Sequence, residues 1–132
     1  MLLLTGPLAC SPEQVPVPAS SDPQGKDLVK GAVVAAAENS GGVRLYKIVH
    51  VDDYPDPVGF QLHMIAYDPK PKDFQEAANK WKHERKSFSV VKDWMDVALV
   101  LFKQRDHRVL VVEPVSEEEL APYNRMKQGR KR

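Results

Sequence analysis

Apolar residues recur with period two in two long stretches and with a helical period in one. In 43–51 (VRLYKIVHV), Val43, Leu45, Val49 and Val51 alternate with Arg44, Tyr46, Ile48 and His50. The residues are β-branched and aromatic, so the stretch predicts a strand. In 58–67 (VGFQLHMIAY), Phe60, Leu62, Met64 and Ala66 alternate with Gln61, His63, Ile65 and Tyr67, which predicts a second. The segment Asp52-Asp53-Tyr54-Pro55-Asp56-Pro57 separates them as an exposed loop. Residues 31–37 (GAVVAAA) read as an earlier strand, joined to 43–51 across Asn39-Ser40-Gly41-Gly42, where the glycines suit a turn with positive φ. A helix is the alternative there, with Leu28, Val29, Ala32, Val33 and Ala36 on one face.

Residues 74–85 carry the helical signal. Asp73 is a good N-cap, Glu76 completes a capping box, and Phe74, Ala77, Ala78 and Trp81 form one apolar stripe. Lys80, Lys82, Arg85 and Lys86 sit at the C-terminal end, which the helix dipole favours. Residues 87–92 read as a short strand or connector, and Asp93-Trp94-Met95-Asp96 as a turn or the start of a short helix. The runs 97–103 and 108–113 are apolar on both faces and predict a central hairpin across 104–107, covered by the helix. Ser116 with Glu119, and Val115 with Leu120, mark a last helix that Pro122 should stop after about one turn. The expected fold is α+β: a strongly bent antiparallel sheet of five or six strands, approaching a partly closed barrel, with one main helix packed on it.

A length of 132 residues suits a single domain. We place it at 26–124. Residues 1–25, with Pro12, Pro16, Pro18 and Pro23 among small and polar residues, read as an uncollapsed tether. Residues 125–132 read as a basic disordered tail; their five cations turn a body of −4 into a net charge of +1. Cys10 is the only cysteine, which rules out an intramolecular disulfide and a Cys-based zinc site. No apolar run approaches the roughly 20 residues of a helical membrane span. The chain contains no Walker loop, no G-x-G-x-x-G and no G-x-S-x-G. No cofactor is expected.

Three functional classes have residues to offer. The first is a metal-dependent enzyme: His50 and Asp52 lie two apart and His63 is on the next strand, a set able to bind a divalent ion or to make a base with its orienting acid. A strand histidine hydrogen-bonded to a loop aspartate is the commoner use of such residues. The second is a cytoplasmic nucleic-acid-binding domain, resting on the basic tail, on Lys80, Lys82, Arg85 and Lys86, and on Arg105, His107 and Arg108. Glu84, Asp93, Asp96 and Asp106 interrupt that charge. The third, and the favoured one, is a non-enzymatic protein-binding domain. Tyr46, Tyr54, Tyr67, Trp94 and Tyr123 exceed the obvious needs of a core this size, and an acidic loop would steer a basic partner. The candidate binding residues are Tyr46, Asp52, Asp53, Tyr54 and Trp94.

Two resemblances bear on the setting. MLLLTGPLAC resembles the end of a bacterial lipoprotein signal peptide, which implies lipidation at Cys10 and a place in the bacterial cell envelope. It departs from that pattern in lacking a basic start and in having Pro7 where leucine is usual. Without such a signal the chain would be cytoplasmic. The stretch KGAVVAAAENSGGVRLYKIVHV resembles the opening hairpin of a group of bacterial toxin-immunity proteins, through Gly31, Val33, Ala35, Gly42, Tyr46 and Val49. Ala32 stands where that group has aspartate, and no Gly-Arg pair follows Tyr46. The resemblance implies binding of a protein partner rather than catalysis.

Overall fold

A computed structural model describes residues 14–130. Five strands form one antiparallel sheet: β1 (Ala32–Ala37), β2 (Val43–Tyr54), β3 (Gly59–Asp68), β4 (Ser89–Ala98) and β5 (His107–Val112). Their spatial order is β4-β3-β2-β1-β5, and the sheet is open rather than closed towards a barrel. Helix α1 (Phe74–His83) follows β3, a short helix α2 (Leu99–Phe102) follows β4, and α3 (Glu117–Arg130) ends the described chain. This is an α+β domain.

The strand reading of 31–37 holds. Both turn glycines take positive φ, 98° at Gly41 and 71° at Gly42, and β1 pairs with β2 from Ala37↔Val43 to Val33↔Lys47. The expected central hairpin of 97–103 with 108–113 does not form. Asp93–Asp96 lies within β4, β4 ends at Ala98, and β5 pairs with β1 at the opposite edge of the sheet. Residues 99–106 therefore cross one face of the sheet. On the way α2 buries Phe102, whose ring meets Tyr46 edge-on at 5.7 Å. The run reads as a strand because it is apolar throughout, but only Phe102, and in part Leu99, face the sheet, while Val100 and Leu101 are exposed.

That face gathers Ala32, Val34, Ala36, Tyr46, Ile48, Leu62, Met64 and Phe102. The other face gathers Val33, Ala35, Leu45, Val49, Ile65, Tyr67, Ala77, Trp81 and Tyr123 beneath two helices, not one. Asp73 caps α1 by accepting the Glu76 amide at 2.8 Å, while Glu76 reaches back to the Lys72 amide at 2.8 Å. Trp81 lies against Tyr67 at 5.2 Å, and its indole donates to Glu113 at 3.1 Å. At α3 the capping box forms in full, with Glu119 N–H to Ser116 Oγ at 3.1 Å and Ser116 N–H to Glu119 Oε1 at 2.9 Å. Pro122 does not stop this helix. It removes one backbone donor, and the packing of Leu120, Tyr123 and Met126 on the sheet carries α3 on to Arg130. Residues 125–130, expected as a disordered tail, are thus helical.

The Pro-rich front also differs from the expectation where it is described. Val15 accepts from the Gln75 side chain at 2.9 Å and donates to Asn79 Oδ1 at 2.9 Å, both on α1. Ser21 bridges the backbone of His107, and Arg108 donates to the carbonyls of Pro18 at 3.0 Å and Ala19 at 3.1 Å. Prolines cannot extend a ladder, so side chains fasten this strap to α1 and β5 instead of backbone pairing.

Candidate functional site

Sequence spacing put His50, Asp52 and His63 forward as one site, and the fold brings them together. The register shifts between Ile48 and His50: Ile48 faces Met64, His50 faces His63, and Val49 is the extra residue of a bulge. A regular strand would leave His50 and Asp52 on the side of Tyr46 and Ile48. The bulge reverses the alternation, so Val51 joins the crossover face while His50 and Asp52 turn beneath α3. The expected pairing of Val51 with Val43, Leu45 and Val49 on one face is corrected accordingly.

Asp52 is the hub. Tyr123 donates its hydroxyl to both carboxylate oxygens, at 3.1 and 2.9 Å, and Tyr54 donates to Oδ2 at 3.3 Å. His63 Nε2 lies 3.0 Å from Oδ2 and His50 Nε2 lies 3.1 Å from Oδ1. His50 stacks on Tyr123 with ring centroids 4.6 Å apart, and His63 packs against the same ring at 4.5 Å. Burial alone would raise the Asp52 carboxyl. The Tyr123 hydroxyl, the two histidines and Tyr54 outweigh it and hold the group below the ordinary carboxylate value. Burial and the neighbouring Asp52 push the Tyr123 phenol up to about 12, so it stays a donor.

Trp94 decides the state of His63. Its indole nitrogen lies 3.1 Å from His63 Nδ1. Indole N–H is only a donor, so Nδ1 must be bare and Nε2 must carry the proton that goes to Asp52. Desolvation depresses the His63 pKa despite the pull of Asp52 and Asp96. A proton on Nδ1 would set two donors against each other. His63 is therefore a neutral, fully buried strut with both nitrogens committed.

This commitment bears on the metal reading. His50, Asp52 and His63 converge, but the His63 nitrogen facing Asp52 is a donor and the other serves Trp94, so His63 has no lone pair for an ion. No group of three metal-ligating side chains suited to an ion occurs among the described residues. His50 keeps one lone pair at Nδ1 and is oriented by a carboxylate, as a general base is. Yet the concavities beside Ala37–Ser40, Ile65 and Tyr67, Leu28 and Val29, Arg44 and Tyr46, and Trp81 and Arg85 are lined by neither His50, Asp52 nor His63.

The other candidates are placed as follows. Tyr46 is buried, its hydroxyl 3.1 Å from Glu38, and cannot be a surface anchor. Trp94 is half-buried over His63. Asp53 and Tyr54 are exposed at the end of the β2–β3 hairpin. Cys10 lies outside the described residues. Of the basic residues considered for nucleic acid, Arg85 pairs with Glu113, Arg105 with Glu38 and Arg108 with Asp106, and His107 is buried, while Lys80, Lys82 and Lys86 form no ion pair among the described residues.

The hairpin end also presents residues that periodicity did not single out. Val58 is 52% exposed and Phe60 46%, beside Tyr54 at 38%. Phe60 shares the alternation of Leu62 and Met64, but the crossover that buries those two does not cover it. A groove of about 350 Å³ opens beside it, walled by Leu28, Val29, Val51, Phe60 and Leu99 and edged by Lys26 and Lys30.

No known protein family, curated protein or solved structure matches this chain. Among the described residues no helix is long and apolar enough to cross a membrane.

Proposed function

We propose that the protein is a non-enzymatic protein-binding domain that meets its partner with the outer end of the β2–β3 hairpin. The observation that carries this reading is the composition of that end. Tyr54, Val58 and Phe60 stand in solvent next to Asp53 and Asp56, which form no ion pair among the described residues. Apolar anchors clustered with unpaired charge supply both contact area and steering. The Asp52 hub holds the base of the hairpin, which lowers the entropy lost on docking. The likeness of the first hairpin to toxin-immunity proteins is in keeping with a protein partner.

A photo-crosslinking residue at Val58, with a control at the exposed Gln128 of α3, tests this in cells that make the protein. We expect a discrete crosslinked protein from position 58 only, lost in Phe60→Ala and Asp56→Lys variants that melt within about 2–4 °C of the parent. Identical products from both positions, or products indifferent to these substitutions, would refute it.

We further propose that a lipid on Cys10 delivers this domain from the bacterial envelope. Cys10 lies five positions before Val15, where the strap is fastened to α1. An anchor there would hold the domain close to the membrane surface, not at the end of a long leash. Replacing Cys10 with serine should move the protein from the membrane fraction to the soluble one; unchanged fractionation removes the anchor.

A further inference from the structure

We infer that the groove beside Phe60 receives an apolar side chain of the partner that is flanked by carboxylates. The inference rests on the hairpin as a protein-binding surface and specifies what that surface selects. The walls are aliphatic and aromatic: Leu28, Val29, Val51, Phe60 and Leu99. Val29 and Phe60 are both exposed large apolar residues in the unbound domain, so a side chain entering between them removes apolar surface on both partners from water. The site is preformed. Gly25, at φ +69° and buried, lines the groove, and the wall residues Leu28 and Leu99 bring their Cδ1 atoms to 3.4 and 3.5 Å of where its own Cβ would stand.

Charge chooses the occupant. Lys26 and Lys30 edge the groove on the strap side, and neither is in an ion pair among the described residues. An apolar pocket with unpaired ammonium groups at its rim favours an apolar body carrying negative charge. Asp53 pairs with Phe60 across the hairpin, two residues beyond the wall residue Val51 and outside the groove lining, towards the hairpin end. It repels carboxylates from that side and directs them to the lysines, so the bound segment has one orientation. Basic residues of the same partner then fall towards Asp53 and Asp56.

The probes are two blocked pentapeptides, Ala-Glu-Phe-Glu-Ala and Ala-Lys-Phe-Lys-Ala, titrated into the full chain and followed by amide chemical shifts. The acidic peptide should shift Val29, Val51, Phe60 and Leu99 with a dissociation constant in the millimolar range, at least about fivefold below that of the basic one. The double variant Lys26→Glu/Lys30→Glu should reverse the preference, and Phe60→Ala should abolish both responses while its remaining amides keep their positions. Equal binding of the two peptides, or shifts centred elsewhere, overturns the inference. If the crosslink at Val58 still depends on Phe60 but not on the lysines, the hairpin reading stands and the acidic specificity alone falls.

Discussion

Replacing Asp52 with alanine should cost about 3–4 kcal/mol of folding stability, measured by urea unfolding. The carboxylate accepts from Tyr123, Tyr54, His63 and His50. Two of those donors belong to buried residues, His63 and Tyr123, and neither can turn to water once the acceptor is gone. A buried donor left unsatisfied costs about 1–3 kcal/mol. His50 and Tyr54 are more exposed and contribute less. The Asp52→Asn variant separates structural from chemical roles. The carboxamide it introduces would still accept from His63 at its carbonyl, and the Tyr123 hydroxyl can rotate to accept from its NH2 group. Asp52→Asn should therefore lose only about 1 kcal/mol. If this variant unfolds as readily as the alanine one, the charge itself holds the cluster and the hydrogen-bond account is wrong.

Stability should also fall as the pH drops through the range where histidine ordinarily titrates. The direction follows from His63. Its folded pKa is depressed, because burial opposes the charged form more strongly than Asp52 and Asp96 favour it. In the unfolded chain it takes up a proton near its ordinary value of about 6.5. Between that value and the lower folded one the unfolded state binds more protons, so stability declines with falling pH at up to about 1.4 kcal/mol per unit. A second loss begins below about pH 4, as the unfolded Asp52 protonates ahead of the folded one. Trp94→Phe removes the donor that excludes a proton from Nδ1. The variant should start less stable near pH 8 and show a flatter profile between about pH 7 and 5, because His63 can then charge against Asp52. A parental profile flat over that interval would show that His63 titrates alike in both states.

The strands β1, β2 and β3 and helix α1 were legible because local rules and burial agree there. Alternation in 43–48 and 59–67 matches two sheet faces, each with its own core, and Asp73 caps a helix whose apolar stripe has one place to pack. Legibility failed where the decision is topological. Leu99–Phe102 has the composition of a strand, and only the need to reach the far edge, where β5 pairs with β1, makes it a crossover. Nothing local announces the extra residue Val49, yet that one insertion decides which face His50 and Asp52 occupy. Tyr46 reads as an exposed ring because nothing local in the sequence marks the crossover whose Phe102 packs on it. Of the cluster, spacing found His50, Asp52 and His63. Tyr123, 71 residues from Asp52, carries no motif, and Pro122 argued against a helix at its position. Phe60 and Val58 went unmarked because periodicity says which side a residue faces, not whether anything covers it.

The claim beneath the functional reading is that His63, at the centre of the histidine–aspartate cluster, spends both ring nitrogens inside the fold. The most direct measurement is a long-range proton–nitrogen spectrum of the imidazoles of the full chain between about pH 8 and 5, with and without added zinc. His63 should show a bare Nδ1 and a protonated Nε2 throughout, with no response to the metal. A proton on Nδ1, titration near the ordinary value of about 6.5, or a zinc-induced shift of the His63 nitrogens would contradict the account and return the cluster to the candidates for chemistry.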